Sequence, residues 1–310
     1  MSACTALAVV LAVAWPGRVP FVVQAAGLAA AVALFGVPHG ALDTWVGRAA
    51  LEPRLGRRWR LWFGLGYVGS AGLVVALWLV APVFALAGFL TLSAFHFGAG
   101  DTHPAAARGL RWVEAFARGA IPVVVPAVAF SEEVGRLFAW VMPGGTANDG
   151  ARVAGALAWT GPRLLGPALA LVVVGHAARA RWARAPRRRA VHAMAAAEIV
   201  ALAGLFAAVA PLPAFVVYFC GWHSVRHTLE LAARLDPCSA RRGLARFARL
   251  AAPATAAAVA AGLIAWLALR PEQGGAPAAV QTVFVLLSAL TVPHMAVNAL
   301  ASGEGEPGRG

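Results

Sequence analysis

Lysine is absent from this chain, and acidic residues are scarce: 13 carboxylates stand against 26 basic residues, every one an arginine. A formal charge of +13 would suit a nucleic-acid binder. The arginines do not form one soluble basic face, however. They sit in short clusters between apolar runs, the pattern of cytoplasmic loops beside anionic lipid. Nucleic acid is therefore not an expected partner. Cys4, Cys220 and Cys238 lack metal-ligand spacing and make no disulfide framework. No basic stretch precedes the first apolar run, so a cleaved signal peptide is not expected. The sequence holds no Walker loop, no GxSxG elbow, no CxxC pair and no repeat of fixed period. Acidic residues are nearly missing from the apolar runs, which argues against a proton pump. Gly64-Leu65-Gly66-Tyr67-Val68-Gly69 matches GxGxxG, but it lies inside an apolar run with no preceding strand. That context excludes a dinucleotide site and suggests glycines that let another helix approach.

What the chain has in quantity is apolar sequence. Hydrophobic residues make up 60% of it and mean hydropathy is +0.73. Several runs reach the roughly 20 residues that a helix needs to cross a bilayer. Ten apolar segments stand out, near 3–15, 20–38, 60–80, 83–98, 112–130, 164–180, 191–210, 213–233, 250–269 and 278–300. The first is short for a span, and Pro16, Gly17 and Pro20 break it from the second. Segment 150–161 reads as an extra interfacial helix stopped by Gly161 and Pro162, with Arg163 at a membrane surface. The expected fold is all-α, a polytopic integral membrane bundle of about 9–10 transmembrane helices, since backbone groups in lipid must pair within each span. One catalytic domain is expected over 1–301, with a disordered tail over 302–310. Arginine clusters at 48–60, 179–189 and 234–249 fall on one side of such a bundle. By the positive-inside rule that side is the cytoplasm, in a multi-pass protein of the plasma membrane.

Eight histidines punctuate these runs. His39 ends the second segment, His96 ends the fourth, His223 and His227 lie in the eighth, and His294 lies toward the end of the tenth. The topology puts them at roughly one depth. His223 and His227 are spaced i, i+4, which on an α-helix directs both rings to one face. Two such imidazoles can share a metal ion, and further ligands must then come from other helices, as His39 and His96 allow. Neutral nitrogen donors suit iron, copper or zinc. The plain alternative for each histidine is a hydrogen bond to a neighbouring helix. His294 is open between ligand, pocket wall and packed residue. His103 and His192 lie in or beside loops, and His176 reads as interfacial, leading into an arginine cluster. Asp43, Asp101 and Glu230 follow histidines by four, five and three residues, as carboxylates behind ligating imidazoles would. Trp45, Phe95, Phe97, Tyr218, Phe219 and Trp222 cluster beside the histidines. They suit interfacial anchoring or packing, or else an apolar wall for a lipophilic substrate, with Tyr218 and Trp222 as candidate pocket residues.

The motifs carry a resemblance. Pro38-His39-Gly40-Ala41-Leu42-Asp43, Phe95-His96-Phe97-Gly98 with Asp101 following, and His223-Ser224-Val225-Arg226-His227 resemble the Brp/Blh family of bacterial and archaeal membrane β-carotene 15,15'-dioxygenases. Pro293-His294-Met295 fits as well, so the likeness runs from Gly36 to Met295. It implies Fe(2+) held by His39, His96, His223 and His227, with no catalytic residue beyond these ligands. It implies cleavage of the central double bond of β-carotene by O2 to two all-trans-retinal, and a retinal-binding rhodopsin as product acceptor. With only two tyrosines, Tyr67 and Tyr218, a tyrosine-lined tunnel is not expected. The rival readings are a membrane diiron desaturase or hydroxylase, which would show more clustered histidine boxes, and a non-enzymatic metal- or haem-binding membrane protein.

Overall fold

The computed structural model describes residues 19–102, 106 and 108–302. The segment at 3–15, Cys4, His103 and residues 303–310 lie outside the described residues. Every regular element among the described residues is helical. In chain order these are α1 (Phe21–Ala31), a π-helical stretch (Val32–Gly36), α2 (Val37–Gly40), α3 (Asp43–Leu55), α4 (Trp59–Val80) and α5 (Pro82–Asp101). Then come α6 (Arg111–Ala129), α7 (Ser131–Val141), α8 (Ala147–Trp182), α9 (Pro186–Ala208) and α10 (Pro211–Phe215). A second π-helical stretch (Val216–Ser224) leads into α11 (Val225–Leu235), followed by α12 (Ala240–Gln273) and α13 (Gly275–Ser302).

Seven stretches among the described residues are long and apolar enough to cross a membrane: Phe21–Val80, Pro82–Asp101, Arg111–Ala129, Ala147–Trp182, Pro186–Ala208, Ala240–Gln273 and Gly275–Leu300. This is a multi-pass membrane protein. The number differs from nine or ten for physical reasons. The run Phe21–Val80 holds two of the expected segments joined by helical turns. The segment at 213–233 does form a helix, but His223, Arg226, His227 and Glu230 lower its hydropathy. Large apolar side chains such as Leu73, Val80, Phe84 and Ile264 point outward, as a lipid-facing surface requires.

Three local expectations are corrected. Gly161 and Pro162 do not stop a helix: α8 runs through both for 36 residues, about 54 Å at ~1.5 Å per residue. Gly161 instead lies against Val124 of α6, where a Cβ would come within 2.4 Å of that side chain. Arg163 sits within α8, its guanidinium 4.1 Å from the Trp159 ring and bonded to the Trp159 carbonyl. The connection holding Arg48 and Arg54 is largely helical, as α3, with Arg48 and Glu52 paired at 2.7 Å. Among the described residues Gly64, Gly66 and Gly69 do not seat a neighbour, since a Cβ at any of them would meet nothing within 4 Å.

The chain forms two compact units. The first is drawn from residues up to Gln24, Ala87–Trp140 and Gly144–His223; the second from Ala25–Leu86, Val141–Pro143 and Ser224 onward. In the first unit α6 packs on α8 and α9, and α8 on α9. Helices α5 and α6 touch backbone to backbone: a Cβ at Gly98 would lie 2.1 Å from the Ala115 carbonyl oxygen, and one at Gly119 would lie 1.8 Å from that of Ala94. Only glycine permits such an approach. In the second unit α13 packs against α3, α4 and α12, and the buried Trp78 indole N–H donates to Ser288 at 2.6 Å. Leu42, Leu231, Ala232, Phe247 and Ala251 form a buried apolar cluster there.

Candidate metal centre

Both π-helical stretches adjoin candidate ligands. The first ends at Gly36, three residues before His39, and the second contains His223 and ends at Ser224. A π-turn takes one extra residue, which disturbs the i→i−4 ladder and changes where side chains point; such turns recur at functional sites. In the second unit the Gly36 carbonyl accepts from Nδ1 of His39, with Ser224 Oγ 3.4 Å from the same nitrogen. A carbonyl can only accept, so Nδ1 carries the proton and Nε2 keeps the lone pair. The His39 ring is buried and meets His227 and His294 edge-on, at 5.7 and 5.3 Å between centroids.

In the first unit His223 Nε2 lies 3.3 Å from His96 Nε2. The other nitrogen of His223, Nδ1, lies 3.4 Å from Asp101 Oδ1, a long contact. An ionised carboxylate only accepts, so His223 is also the Nδ1–H tautomer with its Nε2 lone pair turned toward His96. Two facing imidazole nitrogens need a proton or a metal ion between them. His39 and His223 thus hold Nδ1 as a donor and present the Nε2 lone pair, the state in which an imidazole binds a transition metal. Together with His96 they offer nitrogen donors of the kind that suits iron, copper or zinc.

The carboxylates serve other histidines than those in their own motifs. Asp43 accepts from His294 Nδ1 at 2.8 Å, not from His39. Asp101, the last residue of α5 and five residues after His96, faces His223. Glu230 is exposed and pairs with Arg226 at 3.2 Å, an ordinary surface pair. Phe97, Tyr218 and Phe219 do wall His223, with ring centroids 4.9, 6.3 and 6.2 Å away. Phe95 and Trp45 are exposed, Phe95 stacking on Trp112, and Trp222 is half-buried.

His176 is buried, with Nε2 3.0 Å from Glu114 and Nδ1 3.1 Å from Nδ1 of His192. His192 belongs to α9 rather than a loop. Glu114 accepts from Arg118 at 2.9 Å, and Arg118 reaches Glu198 at 3.5 Å. Sequence reasoning passed over Glu114, Arg118, Ser224 and Asn298; the i, i+4 spacing of Glu114 and Arg118 was the available signal for that pair. Cys220 and Cys238 are free thiols.

The comparisons with known proteins follow this geometry. The family model described as beta-carotene 15,15'-dioxygenase matches residues 30–301. The chain is 34% identical to the probable beta-carotene 15,15'-dioxygenase Blh of Halobacterium salinarum over 294 residues, covering 88% of this chain and 82% of that one. It is 28% identical to the beta-carotene 15,15'-dioxygenase of the uncultured marine bacterium 66A03 over 268 residues, covering 86% of this chain and 90% of the other. No solved structure matches. The matched span contains every histidine of the candidate centre, and the chain belongs to the beta-carotene 15,15'-dioxygenase family.

Proposed function

We propose that this protein cleaves the central double bond of β-carotene with O2, in the plasma membrane, giving two molecules of all-trans-retinal. One O2 supplies both aldehyde oxygens, so the products balance the substrates with no external reductant. The observation that carries this reading is the family match over most of the chain, joined to two histidines, His39 and His223, that donate through Nδ1 and keep the lone pair on Nε2. The proposed cofactor is Fe(2+), held by His39, His96, His223 and His227; when bound it supplies the redox chemistry that lets O2 react with an alkene.

The chain's own residues position and exclude. Gly36 and Asp101 hold His39 and His223 by Nδ1, keeping their lone pairs available. Phe97 and Phe219 offer apolar surface beside His223, where a polyene can lie without competing for a polar group. A substrate dissolved in lipid reaches such a site without crossing water. A retinal-binding rhodopsin is a chemically reasonable acceptor for the product. The desaturase and haem-protein rivals have no counterpart in the family match.

The test is expression in β-carotene-producing cells. Loss of orange colour with appearance of retinal is expected. Unchanged carotene in cells holding folded, iron-loaded protein overturns the proposal.

A further inference from the structure

The chain's two tyrosines do the same thing in different places. Tyr218 donates its hydroxyl to Asp101 Oδ2 at 2.7 Å, while Oδ1 of that carboxylate faces His223 Nδ1. Tyr67 donates to Asp43 Oδ2 at 2.9 Å, while Oδ1 accepts from His294 Nδ1. In both lines the hydroxyl takes Oδ2 and the imidazole takes Oδ1. In the first line Tyr218 and His223 share the second π-helical stretch and Asp101 comes from α5; in the second Asp43, Tyr67 and His294 come from α3, α4 and α13, so two different local routes produce the same arrangement.

We propose that Tyr218 is a positioning residue for His223, acting through Asp101, and that its hydroxyl raises the protein's affinity for a transition-metal ion. This rests on the reading of His223 as a metal ligand. A carboxylate as buried as Asp101 needs partners on both oxygens. The Tyr218 ring is fixed edge-on to Phe97 and Phe206, at 5.2 and 5.8 Å, so its hydroxyl is placed before any metal arrives. With Oδ2 held, the carboxylate plane is set and Oδ1 has one direction left, toward Nδ1–H. That selects the tautomer and the ring angle which present Nε2.

The second line ends differently. His294 Nε2 accepts from the Asn298 amide at 3.0 Å, and the same amide donates to the His294 carbonyl at 3.1 Å. Both ring nitrogens of His294 are engaged. The geometry assigns it to the wall beside His39 and His227, which it meets edge-on, and not to the ligand set.

The experiment titrates full-length, metal-free protein in detergent with Co(II), following the visible d–d bands. Tyr218→Phe keeps the ring and removes only the hydroxyl. It is expected to weaken Co(II) binding about tenfold and to shift the bands, by the ~10–100-fold range typical of groups behind metal ligands. Asp101→Asn is expected to weaken binding at least as much, and the double variant no more than Asp101→Asn alone, because the hydroxyl acts only through the carboxylate. Wild-type affinity and spectrum in Tyr218→Phe, or additive losses in the double variant, overturn the proposal when His223→Ala has lost binding. Wild-type Co(II) binding in His223→Ala overturns the ligand reading itself, and the proposal with it.

Discussion

The first unit holds two histidine pairs that look alike and differ in what stands behind them. His96 and His223 bring ring centroids within 5.1 Å, and His176 and His192 within 5.3 Å. In each pair two nitrogens face each other, and a carboxylate holds the far side of one ring. Behind His223 that carboxylate is Asp101, held by the uncharged hydroxyl of Tyr218. Behind His176 it is Glu114, held by the guanidinium of Arg118 at 2.9 Å. Arg118 already supplies a positive charge to the second pair, and Arg187 and Arg188 line a cavity together with His192. Glu114 and Glu198 are both engaged by the Arg118 guanidinium, so the carboxylate behind His176 is committed to an ion pair. The difference teaches that two histidines and a carboxylate do not define a metal site. On the proposed reading the third partner separates the two pairs: tyrosine stands behind one and arginine behind the other.

The largest effect that can break this contrast is loss of metal. His223→Ala is expected to remove bound iron and retinal formation together, while His176→Ala keeps stoichiometric iron; metal analysis of both purified variants checks this, and the reverse pattern would exchange the roles of the pairs. Next comes stability. Arg118→Met removes the guanidinium from the buried Glu114 carboxylate, leaving it to His176, and is expected to cost about 3–5 kcal/mol, the range for breaking a buried ion pair. Thermal unfolding in detergent reads that loss, and iron per folded protein should stay unchanged. Gly119→Ala is expected to cost about 1–3 kcal/mol as a small-to-large change at a tight contact. It should disturb both pairs at once, since α5 carries His96 and α6 carries Glu114; a Co(II) titration beside the unfolding curve detects both.

The smallest effect sharpens the comparison from the surface. Asp236 follows α11 and accepts from Arg242 Nε at 2.9 Å and from the backbone N–H groups of Cys238 and Ser239. The Arg242 hydrogen bond, first among these, holds its carboxyl below the usual carboxylate range. A depressed value means that the stabilisation is present above the ordinary carboxylate pKa of about 4 and is lost as pH falls through the lower folded value. Asp236→Asn should therefore unfold more readily than the parent near neutral pH and converge with it in acid. The gap should be far smaller than for Arg118→Met, since Arg242 is largely exposed and solvent screens its charge.

Much of the bundle was legible in hydropathy alone, because a lipid-crossing helix must be apolar over its whole length whatever its neighbours do. The errors fell where neighbours decide. Gly161 followed by Pro162 looks like a helix end, yet a membrane helix tolerates both when another helix packs there, as Val124 does. The candidate ligands were legible because each stands in a dense local motif. Their supports were not, since Asp43 and Asp101 are claimed by histidines 251 and 122 residues away. Spacing of four or five residues pointed each carboxylate at its sequence neighbour, and helix geometry turned it elsewhere. Tyr67 was hidden inside an apolar run, 24 residues from the carboxylate it holds. The burial of Glu114 and Arg118 escaped for a similar reason: an i, i+4 pair reads the same on a lipid-water boundary and in a core.

The order of segments in the two units has a consequence for biosynthesis. The first unit's last residue is His223, whereas the second unit needs both its early segment, Ala25–Leu86, and everything from Ser224 onward. As the ribosome feeds the chain into the bilayer, His223 follows its partner His96 by 127 residues, on the order of ten seconds of translation at ~5–20 residues per second. His39 emerges first of the candidate ligands and must wait longest, because the α13 residues that pack beside it come last. An interrupted nascent chain would thus carry a finished half and an orphaned N-terminal segment with its apolar surface uncovered. That orphan, rather than the completed half, is the part most exposed to membrane quality control.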